Sequence, residues 1–207
     1  MHNYFILTWG ITNFLLLVSC IFGVKKYSTL RKEEKQYIIY IVFLFIIEGV
    51  TNLLTQYYNF ENTSFLYPIY IVGEFLILSN LFIKKLNLSK YCNIPILILT
   101  LGFIILNQFF SILSNEDYGK VISNVIIICF CGFVLLQEIK GTRHKNRFLL
   151  VDACMFFYYA VSVFVFIIQN QIAVLNENDY YMILGVNNIL SSILYCSIVY
   201  TFLKLKK

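Results

Sequence analysis

The chain has 207 residues, of which 59% are hydrophobic and 13% charged. Ordinary soluble domains carry about 25% charged residues, and apolar runs here recur at about 20 residues, the length that crosses a ~30 Å hydrocarbon core at 1.5 Å per residue. The composition therefore excludes a water-soluble globule and points to an all-α, polytopic membrane bundle, residues 1–207 forming one domain.

Seven spans can be drawn: Tyr4–Val24, Tyr37–Tyr57, Phe65–Ile83, Ile94–Phe110, Val121–Ile139, Phe148–Gln169 and Tyr181–Thr201. Within the first, Leu17-Val18-Ser19-Cys20 has the look of a lipoprotein cleavage box. The stretch before it lacks a basic region, which a targeting segment normally has, so the segment reads as a span. Pro68 and Pro95 fall in the first turns of the third and fourth spans, where a missing N–H costs nothing. Between spans, Lys and Arg fall overwhelmingly on one side. Fifteen of the 16 basic residues lie in the loops after spans one, three and five and in the C-terminal tail, with Lys120 alone opposite. The positive-inside rule makes that side cytoplasmic, with the N-terminus out and the C-terminus in. The location expected is the cytoplasmic (inner) membrane, multi-pass.

The net charge of +5 raises the question of nucleic acid. Its placement in short loops answers it: these residues set topology and attract anionic lipid, so the bilayer is the expected partner and no nucleic acid is. Tyr4, Tyr37, Tyr57, Tyr58, Tyr67, Tyr118, Tyr180, Tyr181 and Tyr200 stand at span ends, where an aromatic belt is expected. Five of the six cysteines lie inside apolar runs and Cys92 lies in a basic loop, so no disulfide framework is implied.

Glu48 and Glu74 sit near the middle of spans two and three, where a charge costs about 2.5–3.5 kcal/mol on insertion scales and marks function by default. No Lys or Arg falls inside a drawn span to pair them, so they are expected to meet across a wet hollow, sharing a proton or binding an ion. Helical spacing adds walls. Glu48, Asn52, Thr55 and Asn59 form one stripe, and by depth Asn13, Tyr159 and Ser191 join the two carboxylates near mid-membrane, with Asn107, Asn124 and Asn188 nearer the outer surface. Asp152 sits low, beside Arg147, in a structural role. The site so expected comprises Glu48, Glu74, Asn13, Asn52, Asn107, Asn124, Tyr159, Asn188 and Ser191.

Other chemistry is not supported. No span contains the lysine of a retinal Schiff base, and His2 and His144 are too few for an intramembrane zinc hydrolase or haem ligation. There is no Gly-x-Ser-x-Gly elbow, phosphate-binding Gly-rich loop or His-Glu-x-x-His. The expectation is a non-enzymatic bundle without cofactor. It would bind a small polar ligand or protons in an outward-facing pocket and relay this to a cytoplasmic or membrane signalling partner, since no output domain is encoded. The alternative is a small carrier with a three-one-three helix plan, for which the echo of Gly73…Ile77-Leu78-Ser79 in Gly185…Ile189-Leu190-Ser191 is a faint sign.

With an acidic residue in span two and Tyr70-Ile71-Val72-Gly73-Glu74-Phe75 in span three, the layout resembles small uncharacterised seven-span bacterial integral membrane proteins. That resemblance implies the span arrangement and no activity. Sugar and vitamin carriers with a three-one-three plan are less similar, because their kinking prolines in spans one and five are missing here.

Overall fold

The computed structural model describes residues 2–60, 62–63, 65–109, 117–141, 146–172 and 177–205. Seven α-helices account for most of them: α1 (His2–Lys26), α2 (Lys35–Gln56), α3 (Leu66–Lys85), α4 (Asn93–Phe109), α5 (Asp117–Ile139), α6 (Leu149–Ile172) and α7 (Glu177–Lys204). No strand occurs among the described residues. Six of the helices are long and apolar enough to cross a membrane, the pattern of a multi-pass membrane protein. The shorter apolar helix is α4, whose 17 residues reach only about 25 Å.

Neighbour relations close the six long helices into a ring in the order α1, α2, α3, α5, α6, α7 and back to α1. Helix α4 stands outside that ring against α3. In sequence it stands between α3 and α5. Ile96 and Thr100, four residues apart, are its buried positions, while Ile94, Ile98, Leu101 and Ile105 are exposed. The ring's outer surface is likewise apolar, with Leu7, Phe14, Ile46, Leu53, Phe157, Phe164 and Ile193 all exposed. That distribution inverts the usual rule and fits hydrocarbon as solvent, where an exposed leucine loses nothing.

Close approach of helices is arranged by rings laid over glycines. A Cβ at Gly73 would run into Phe43, one at Gly119 into Phe103, and one at Gly185 into Tyr4. These contacts seat α2 on α3, α4 on α5 and α1 on α7, the use small residues commonly serve in membrane bundles. At its far end α3 stops in a Schellman motif. Asn87 takes φ 51°, the Leu88 N–H bonds the Ile83 carbonyl at 3.0 Å, and the Asn87 N–H bonds that of Lys84 at 3.2 Å. This turns the chain sharply and leaves Lys84 and Lys85 in the last turn.

The two ends differ in charge. Lys26 Nζ bonds the Leu205 carbonyl at 2.7 Å, tying the ends of α1 and α7 together. Arg147 ion-pairs with Glu34, and Lys85 with Asp152, bringing the starts of α2 and α6 to the end of α3. All described Lys and Arg residues except Lys120 belong to this basic end.

Candidate functional site

In the half of the bundle away from the basic end lies a cavity of about 760 Å³. Its walls come from α1, α2, α3, α6, α7 and the α2–α3 connection. Helical periodicity selects the lining faces. Helix α1 presents Trp9, Thr12, Asn13 and Leu16, and α2 presents Leu44, Ile47, Glu48 and Thr51, both at i, i+3, i+4, i+7. Leu184, Asn188, Ser191 and Tyr195 line it from α7, with Tyr67 and Tyr70 from α3 and Tyr158 and Phe166 from α6.

Glu48 is the one acid or base among the described lining residues. It is half-buried, and its Oε1 accepts from Trp9 Nε1 at 3.2 Å. Asn13, with its amide turned to satisfy both neighbours, donates to the same oxygen at 3.3 Å and accepts from Trp9 at 3.1 Å. Oε2 accepts no hydrogen bond from a described residue. Opposite, Thr12 Oγ1 bonds the Asn188 carbonyl at 2.9 Å and Ser192 Oγ at 2.8 Å, which holds α1 to α7 and fixes that wall. Asn188 Nδ2 reaches Thr8 at 3.5 Å, and Ser191 Oγ bonds the Asn187 carbonyl at 3.0 Å.

Glu74 is not in that lining. It is buried to 1% exposure behind Tyr70, which does line the cavity. One carboxylate oxygen accepts from Tyr159 at 2.8 Å and Tyr70 at 3.2 Å, and the other forms an ion pair with Lys120. Tyr159 also bonds Tyr40 at 2.9 Å. Lys120 donates to the Tyr70 hydroxyl at 2.9 Å with its ammonium 4.1 Å from that ring's centroid.

Two expectations from sequence are corrected here. Glu74 has a countercharge, because α5 begins at Asp117, one turn ahead of the drawn span, and Lys120 folds inward from that first turn to 1% exposure. The two glutamates accordingly stand in separate networks, and no hydrogen bond joins them among the described residues. Asp152, expected in a structural role, lies in a third network. It is fully buried and held by Lys85, Tyr37 and Asn146 (2.8 Å from Nδ2), whereas Arg147 pairs with Glu34.

Of the remaining expected residues, Asn13, Asn188 and Ser191 line the cavity with Glu48. Tyr159 belongs to the Glu74 network. Asn52 is half-buried and outside the lining; its neighbour Thr51 takes that place. Asn124 is fully buried on α5, with both amide atoms lacking a hydrogen-bond partner among the described residues. The side chain of Asn107 lies outside the described residues. Sequence reasoning missed Trp9, Thr12 and Lys120. Trp9 carried a signal, being the single tryptophan and four residues from Asn13 on one helical face.

No protein-family model matches the chain, and comparison with curated proteins and with solved structures finds no similar chain.

Proposed function

We propose that the protein is a seven-span receptor-like bundle of the bacterial cytoplasmic membrane, N-terminus out and C-terminus in. It takes a small polar ligand from outside into the cavity and relays occupancy to a signalling partner, without catalysing a reaction. The observation that carries this reading is the cavity itself. Its ~760 Å³ lies in the size range of small-molecule sites, and polar groups from α1, α2 and α7 converge in it among aromatic rings. The orientation rests on the basic end, which the positive-inside rule assigns to the cytoplasm. With Lys120 turned inward, no described Lys or Arg faces water at the cavity end. The loops at the basic end are the surface offered to a partner.

The packing beneath the cavity favours binding over passage. Leu44 lines the cavity, and one turn further along α2 Tyr40 is buried at 1% together with Glu74, Lys120 and Tyr159. A carrier would have to open that layer, breaking the Glu74–Lys120 pair in each cycle. In reconstituted liposomes the protein is expected to bind polar solutes without moving them. Binding should disappear when Ser191→Phe fills the cavity. Net flux of a bound solute would instead make the protein a carrier, and equal binding by the filled variant would remove the cavity as the site.

Orientation has its own test. In a variant without native cysteines, a cysteine replacing Thr63 is expected to react with a membrane-impermeant reagent on intact cells, and one replacing Lys32 only after permeabilisation. The opposite pattern would reverse the topology.

A further inference from the structure

We propose that the ligand is a small organic cation, an ammonium compound, seated between Glu48 and the aromatic wall. The inference rests on the receptor reading and narrows it to a chemical class. Glu48 supplies the only formal charge among the described lining residues, and its immediate partners Trp9 and Asn13 are neutral donors. Those two bonds orient one oxygen and leave the other, which accepts from no described residue, to an incoming group. An anion entering here meets a carboxylate with no compensating cation, because Lys120 is consumed by Glu74 and shielded behind Tyr70.

The rest of the wall suits a cation with an apolar body. Trp9, Tyr70, Tyr158 and Tyr195 surround the same space. Aromatic faces attract ammonium groups through the ring quadrupole, and aromatic cages are the recurring means of holding them. The fold already contains this interaction, since the Lys120 ammonium rests 4.1 Å from the Tyr70 ring. A divalent metal ion is a poor alternative. Such ions take several oxygen ligands, and no cluster of three His, Cys, Asp or Glu exists among the described residues.

The test uses the full chain in uncharged maltoside micelles, with binding read by calorimetry and by thermal stabilisation. The probes are tetramethylammonium against neutral tert-butanol, and tyramine against neutral tyrosol. The cations are expected to bind and their neutral counterparts to bind far more weakly. Glu48→Gln keeps an acceptor for Trp9 and Asn13 and is expected to weaken cation binding about 10- to 100-fold, the loss of one charge-assisted contact. Thr51→Lys lines the cavity one turn from Glu48 and places a tethered ammonium there. It is expected to abolish cation binding while the protein still unfolds cooperatively. Neutral compounds binding as well as cations, with Glu48→Gln without effect, would overturn the cation assignment and leave the receptor reading standing. No binding by either class, or binding unchanged in the Ser191→Phe variant, would overturn both.

Discussion

Lys120→Met is expected to destabilise the bundle by about 3–5 kcal/mol, the loss that follows when one partner of a buried ion pair is removed. The size follows from burial: Lys120 and Glu74 are each at 1% exposure, so the abandoned carboxylate has no water to turn to. Tyr159 and Tyr70 would still donate to it, but two neutral hydroxyls cannot replace a cation. Adding Glu74→Gln should recover much of the loss, because removing both charges leaves an amide that the tyrosines can satisfy. Reversible unfolding in mixed micelles across the double-mutant cycle measures this. The exposed Lys140→Met serves as a control, expected within about 0.5 kcal/mol of the parent. Strict additivity of the two substitutions would show that the pair makes no contact.

That pair also shows where the sequence stops being legible. The six long helices were readable because each carries a window of apolar residues long enough to cross hydrocarbon, a signal that survives errors at the ends. End errors become decisive only when a charge stands in the first turn. Lys120 does, and moving the start of α5 from Val121 to Asp117 converts a loop residue into a buried partner for Glu74. A lysine's long stem can carry its head several ångströms along a helix, and sequence does not say in which direction.

The polar stripes fail for a different reason. After Glu48, both Thr51 at i+3 and Asn52 at i+4 are helical neighbours, and periodicity cannot choose between them. The packing of α2 beside α1 chooses Thr51, because Trp9 and Asn13 reach Glu48 from that side. Asn13, Asn188 and Ser191 were found because depth along a helix is countable from its end. Which side of the helix faces inward depends on the order of helices in the ring, and that order is a property of the whole chain.

Asp152→Leu is expected to lower stability by about 3–5 kcal/mol, again as a broken buried ion pair. At the basic end Asp152 is the common acceptor for Tyr37 of α2, Lys85 of α3 and Asn146 ahead of α6. Tyr37 is stacked on Phe148, with ring centroids 4.5 Å apart, and at 1% exposure cannot find water in its place. Lys85 can, since its side chain is 13% exposed, whereas Lys85→Met strands the fully buried Asp152 carboxylate and should cost at least as much as Asp152→Leu. Asp152→Asn should cost less than either, because it keeps an acceptor for Tyr37 and leaves no buried carboxylate unpaired. Lys85 lies eleven residues beyond Glu74 on α3, about 16 Å along the axis. Sites that far apart with no shared partner add within about 0.5 kcal/mol. Asp152→Asn and Glu74→Gln are therefore expected to be additive in denaturation midpoints, each ion pair fastening α3 independently at its own depth. A coupling above 1 kcal/mol would mean instead that Tyr37 and Tyr40, one turn apart on α2, bind the two networks into a single switchable unit. The proposed relay to the basic end would then pass through those two rings.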